Sequence, residues 1–352
     1  MGNVVRYDGE LLARALRDPA STASLDAEGW TALVGIARAE QLAGTLAHRL
    51  DGVAMPVGVA RIMADARASA AQGRIAALWE AEMARRVLAP LDCPVVLLKG
   101  TAFVAAGLSA GIGRSIGDLD ILVPRDRIDA VEAALLGAGW EWVKPDPYDD
   151  IYYRRWMHEL PPLIHRNRDR MIDVHHTILP LTARITPDAD ALIADSVVLE
   201  NGLRVLSPED MICHAAAHLF ADGDLAGGMR NLWDIDRLCR AFTEQDPDLC
   251  LSVFERAWEH GLWSCVQRAL RLAQQIYATP VTGYHPPIRV RLDEQRSDAL
   301  FRRRLTARDG WGRPTRPLLR QGFYLRSHWL RMPPAMLARH LWTKWRKGHR
   351  PA

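Results

Sequence analysis

Two aspartates separated by one residue open an apolar run, Asp118-Leu119-Asp120-Ile121-Leu122-Val123, and no other stretch constrains the chain as tightly. Side chains alternate along a strand, so Asp118 and Asp120 share a face, roughly 7 Å apart along the backbone. Like charges so placed raise each other's pKa, a cost that a divalent cation removes. Upstream, Val95-Val96-Leu97-Leu98 is closed by Lys99-Gly100-Thr101. Residues 93–99 read as a buried strand that turns into a short helix over 101–109. A glycine turn before a helix offers backbone N–H groups to an anion such as phosphate. Metal-binding carboxylates beside a phosphate cradle suggest phosphoryl or nucleotidyl chemistry.

Leu98-Lys99-Gly100, a short helix, Arg114 and then Asp118-Leu119-Asp120 resembles the nucleotidyltransferases of the DNA polymerase beta superfamily. More narrowly, it resembles an uncharacterised bacterial branch with a Leu-Lys-Gly turn followed by Asp-x-Asp. The resemblance is specific over about residues 93–180 and looser over the helical regions on either side. It implies a glycine with a small hydroxyl neighbour, matched by Gly100-Thr101, and a pair of aspartates, matched by Asp118 and Asp120. A third carboxylate on a later strand is also implied; its candidate is Asp173, in Met171-Ile172-Asp173-Val174-His175-His176. The gap from Gly100 to Asp118 is longer than in many members, and Thr stands where Ser is commoner. Neither departure removes a metal ligand.

What the resemblance implies is a Mg2+-dependent enzyme. Two ions, held by Asp118, Asp120 and Asp173, would serve attack on the α-phosphorus of ATP or another nucleoside triphosphate, with release of pyrophosphate. The acceptor is a hydroxyl or phosphate on a small molecule, a peptide or an RNA end. Asp173 is expected to bind the catalytic ion and help deprotonate the attacking hydroxyl. Lys99 and Arg114 have two compatible readings, contact with the triphosphate or salt bridges to the aspartates. His175 shares the Asp173 face by alternation; it either serves substrate or proton transfer, or is a hydrogen-bonded histidine beside the sheet.

Other histidines carry less. His158, His165, His175 and His176 fit no zinc signature by spacing. His214 and His218 lie four apart on an expected helix, but no Glu follows His214 to make a His-Glu-x-x-His motif. They are expected to pack against the catalytic part, while Arg230, Asp234 and Asp236 of the next helix are expected in an ion-pair network with their helix or, as the alternative, in acceptor binding.

The chain is expected to be α+β, with α/β element order locally. A small mixed-sheet core over 91–205 would stand between an N-terminal helical region, 1–90, and a C-terminal helical domain, 206–300. A basic, Trp- and Arg-rich segment, 301–352, follows. Helices are expected within 9–50 and over 58–88, 125–138, 207–220, 229–242 and 249–277. Strands are expected at 118–123, 140–143, 152–154, 163–165 and 171–178, with a loop at Pro145 and Pro147 and irregular chain over 280–300. Residues 302–352 hold fourteen Lys and Arg against one acid, Asp309, while the rest of the chain is net acidic. Such a tail suits the acidic body itself, nucleic acid or an anionic membrane surface.

No run of 18 apolar residues suggests a transmembrane helix. Residues 1–8 lack the apolar core of a signal peptide, and Arg6 argues against myristoylation of Gly2. Five cysteines without a Cys-x-x-Cys pair read as buried free thiols of a cytoplasmic protein. Two rival readings are a noncatalytic nucleotide-binding regulatory protein and an RNA-binding module that uses the basic tail.

Overall fold

Among the described residues, four α-helices precede the first strand: α1 (Gly9–Arg17), α2 (Ala27–Ala39), α3 (Ala43–Arg49) and α4 (Val57–Leu88). Asp8 and Asp26 cap α1 and α2 by accepting from the backbone N–H groups of Glu10 and Gly29. Leu12, Leu16, Leu33, Ile36 and Leu46, which recur at helical spacing, are fully buried. The computed structural model describes residues 7–143, 147–281, 292–334, 337, 338 and 342. The expectations for residues 1–6, for Pro145, for 282–291 of the chain over 280–300 and for most of 335–352 fall outside them.

A seven-stranded mixed sheet follows, interleaved with helices: β1 (Val96–Leu97), α5 (Lys99–Ala105), β2 (Asp118–Leu122), α6 (Ile128–Gly137), β3 (Trp140–Trp142), α7 (Pro147–Trp156), β4 (Leu163–His165), β5 (Met171–His175), α8 (Ala189–Ala194), β6 (Val197–Val198) and β7 (Arg204–Val205). The strand order is β3-β4-β5-β2-β1-β7-β6. The central β2–β5 pair is parallel and sets Asp120 beside Asp173, and Leu122 beside His175. The intervening Leu119, Ile121, Ile172 and Val174 are buried, as the period of two requires. The fold is α+β, with helices flanking the sheet.

Residues 152–154, expected as a strand, lie in α7. The aromatic pair Tyr152-Tyr153 suggested a strand, but Asp150 and Arg154 stand one helical turn apart and pair at 2.7 Å. Arg154 also holds Glu132 of α6 at 2.8 Å. The first strand is shorter than the apolar run around it, with only Val96 and Leu97 in the ladder.

The C-terminal half comprises α9 (Pro208–Ala217), α10 (Gly228–Thr243), α11 (Leu249–Glu259), α12 (Trp263–Tyr277), α13 (Leu292–Leu305) and α14 (Pro317–Arg331). Ser207 caps α9 by accepting from the Asp210 N–H at 3.2 Å. α9 runs on into a π-helical turn, His218–Asp222. The helix expected over 249–277 is two, parted where Gly261 takes φ +68°. Residues 292–300, expected to be irregular, are helical, and buried Asp298 of α13 is held by Arg271 at 2.6 Å and Arg268 at 3.2 Å.

The described part of the basic segment lies on the body. Arg302 pairs with Glu10 at 2.8 Å, Arg308 with Glu40 at 2.7 Å, and Arg326 donates to the Phe220 carbonyl at 2.9 Å. All five cysteines are free thiols, and four are buried. No helix among the described residues is long and apolar enough to cross a membrane.

One close approach positions the site. Gly113 has φ +68°, and a Cβ there would lie 2.5 Å from the Gly44 carbonyl carbon. Two glycines thus let α3 touch the loop that delivers Arg114.

Candidate active site

Asp118 and Asp120 enter on β2, and Asp173 is the lateral neighbour of Asp120 on β5. One carboxylate oxygen from each of the three lies within 4.8 Å of the others. Asp120 is almost completely buried, Asp173 is half-buried and Asp118 is exposed, so the cluster runs from the sheet interior to solvent. Burial pushes the Asp173 carboxyl up to about 7, helped by the charges of Asp120 and Glu159. Its Oδ1 is buried and has no hydrogen-bond partner. An unpartnered buried oxygen among converging carboxylates is what a bound cation would satisfy, and an all-oxygen donor set suits Mg2+ or Mn2+.

Lys99 supplies the positive charge found there. Its Nζ donates to Asp120 Oδ1 at 2.6 Å. Burial works against the Lys99 ammonium, but Asp120 outweighs it, and the pKa is raised. Burial likewise works against the Asp120 carboxylate, yet Lys99 and His175 hold it well below the usual range. Lys99 takes φ +49°, a left-handed conformation that a non-glycine residue adopts only at a cost. The turn from β1 into α5 is therefore held in a strained form with its side chain on Asp120.

His175 Nε2 lies 3.0 Å from the same Asp120 oxygen. Its other nitrogen faces Glu159, a residue the sequence reading missed; nothing in the sequence around Glu159 marks it, because a backbone bridge from a distant segment brings it to His175. Thr101 Oγ1 is buried without a hydrogen-bond partner. Gly100 makes room for Arg114, since a Cβ there would stand 2.6 Å from Arg114 Nη1.

Arg114 does not reach the aspartates of β2. It is buried against Asp234 of α10, with Nε at 3.1 Å and Nη2 at 2.8 Å from Oδ2, and Nη1 donates to the Ser115 carbonyl at 3.2 Å. Asp236, grouped with Asp234 in the expected network, turns away to Arg237, Arg240 and Thr279. A narrow cleft of about 40 Å³ opens between α5, α9 and α10, walled by Lys99, Arg114, His214, His218, Arg230 and Asp234. Lys99 links this cleft to the carboxylates, which lie outside its wall. Burial holds His214 down to about 3 and His218 well below its ordinary value, so both imidazoles are neutral near pH 7. Three cations against one carboxylate give the cleft a positive balance, suited to an anionic ligand. Of the remaining histidines, His165 packs edge-on against Trp140, and the His176 backbone N–H donates to the His158 carbonyl.

Asp173 predicts a pH dependence of stability. Its pKa is higher folded than unfolded, so the fold gains from its proton. That gain is full below about pH 4 and is lost as pH rises towards about 7. Without metal, the wild type should lose about 1–2 kcal/mol between pH 5 and 8 relative to Asp173→Asn, below the roughly 2.6 kcal/mol that the full shift gives over that window because the group is part-exposed. Urea denaturation in chelator at both pH values reads the difference. Equal slopes in the two proteins would show that Asp173 is not crowded by its neighbours.

A family model described as an uncharacterised nucleotidyltransferase matches residues 26–278, well over half of the chain and including the sheet, the cleft and the three aspartates. No curated protein matches the chain.

Proposed function

The chain belongs to that uncharacterised nucleotidyltransferase family, and we propose that it moves a nucleoside monophosphate from a nucleoside triphosphate, ATP by default, to a hydroxyl or phosphate of an acceptor. The observation that carries this reading is the β2–β5 register, which makes a three-carboxylate cluster from two distant segments beside a cationic cleft. Asp118, Asp120 and Asp173 would hold divalent ions, Mg2+ by default. Such ions, when bound, neutralise charge on the attacking and leaving oxygens.

The protein's own groups have separable roles. Asp173 is the carboxylate placed to take the acceptor proton, half-buried next to Asp120 at the centre of the sheet. Lys99 neutralises Asp120 while the cluster holds no ion, and its flexible stem can carry the ammonium to a phosphate when one binds. Gly100 and Thr101 stand at the turn beneath it. Arg114 and Arg230 supply positive charge along the cleft, with Arg114 also tying its loop to α10. His175 holds Asp120 in place through Nε2. The acceptor would approach from the exposed Asp118 side.

The test is pyrophosphate release from each of the four nucleoside triphosphates, with extract from the host as a source of acceptor. Release that needs Mg2+ or Mn2+ and stops in chelator is the expected result. Release that is indifferent to chelator would remove the metal cluster from the account.

A further inference from the structure

Behind Asp120 stands a second set of ligand atoms that the transfer reading does not use. His175 gives Nε2 to Asp120 at 3.0 Å, so in the neutral ring that nitrogen carries the proton. Its Nδ1 is then a lone pair, buried, without a hydrogen bond, and 3.3 Å from Glu159 Oε2. His158 lies almost parallel to His175, with ring centroids 5.2 Å apart and planes tilted 31°. Its Nε2 is 3.9 Å from the same Glu159 oxygen. The segment carrying both residues is pinned to β5: the His176 N–H donates to the His158 carbonyl, and Glu159 makes a β-bridge with His175.

In the neutral ring that lone pair faces the Glu159 carboxylate, an arrangement that a cation between them would relieve. The spacing fits one. A tetrahedral zinc ion with bonds of about 2.05 Å keeps its ligand atoms about 3.3 Å apart. The His175–Glu159 distance already has that value, His158 must close on Glu159 by about 0.6 Å, and all three ligand atoms lie within 4.8 Å of one another. We propose that His158, Glu159 and His175 bind one zinc-like transition-metal ion, separate from any ions on Asp118, Asp120 and Asp173.

The chemistry selects the class of metal. Two imidazoles and a carboxylate favour Zn2+ or Co2+, whereas Mg2+ takes oxygen donors and keeps its water. Three protein donors leave a fourth position for water or a ligand oxygen. Asp120–His175–metal is then a carboxylate–histidine–metal chain, in which the second nitrogen's hydrogen bond fixes the ring. Spacing alone misses the site, because its residues come from two separate segments joined by backbone pairing. The proposal is independent of whether the chain transfers nucleotides.

Cobalt is the probe. Metal-free protein in millimolar Mg2+ is titrated with Co2+, and the visible bands of a tetrahedral nitrogen–oxygen site are followed. Wild type should take up one equivalent per chain, and so should Asp118→Asn. His158→Gln and Glu159→Gln should each weaken uptake at least tenfold, with metal-free melting temperatures near that of wild type. Should either variant misfold, X-ray absorption of the loaded wild type decides, with two imidazoles and no sulfur expected. Absence of uptake by wild type would overturn the proposal and leave His175 as a link between two carboxylates. Sulfur ligation, or uptake lost in Asp118→Asn and kept in His158→Gln, would overturn it as well.

Discussion

Asp120→Asn should lower nucleotidyl transfer by about 10³-fold or more while leaving a folded protein. Asp120 is the hub of the site: Lys99 at 2.6 Å, His175 at 3.0 Å and Asp173 beside it all converge on one carboxylate. Metal-borne stabilisation of the transferring phosphoryl group is worth several kcal/mol, and about 1.4 kcal/mol is a factor of ten in rate. Asparagine keeps the shape and one accepting oxygen but loses the charge that ligates and that balances Lys99. The ammonium side chain is 27% exposed, so water relieves part of its loss, and the cost in stability should stay at about 1–3 kcal/mol. Initial rates and denaturation midpoints on the same preparation separate the two effects. A variant that folds and retains a tenth of the wild-type rate would move the metal ligands elsewhere.

The largest expected effect on stability lies at the Arg114–Asp234 pair. Its partners are 120 positions apart, both are buried, and the contact ties the loop before β2 to α10. Burial raises the Asp234 pKa even with Arg114 against it, so desolvation dominates and the bare carboxylate or guanidinium would be costly. Asp234→Ala should therefore cost about 3–5 kcal/mol by stranding Arg114. Replacing both partners, as in Arg114→Met with Asp234→Leu, should recover at least half of that loss. The stable double variant then shows what Arg114 does beyond holding the loop. If the guanidinium also meets the triphosphate, the Michaelis constant for the nucleotide rises in that variant. If the double variant is no more stable than Asp234→Ala, the pair is not the clamp described here.

The Asp118–Asp120 pair was legible from the chain because strand alternation acts over two residues. The helices over 9–50 were legible for the same kind of reason, since capping and apolar period are local, and the one over 58–88 from its run of good helix formers between prolines. Asp173 was reached only through the resemblance; its place beside Asp120 comes from a parallel pairing across more than fifty residues that no local pattern encodes. The partner of Arg114 was hidden in the same way. The sequence reading left a salt bridge to the nearby aspartates open, and the structure gives that role to Lys99 and sends Arg114 to Asp234. Tyr152-Tyr153 misled because aromatic residues favour strands, while the Asp150–Arg154 pair that fixes the helix acts one turn away. Glu159 carried no signal, and it matters only because of the strand it bridges.

The central claim is that the three-carboxylate cluster transfers nucleotides, and its most direct test follows label from the α-phosphate. Wild type and the Asp118→Asn, Asp120→Asn double variant are incubated with each α-labelled nucleoside triphosphate, Mg2+ and host extract. The account predicts pyrophosphate and a labelled acceptor from wild type alone, and the labelled species then identifies the acceptor. Nucleotide binding by wild type without transfer from any of the four, or equal labelling by the double variant, would contradict it.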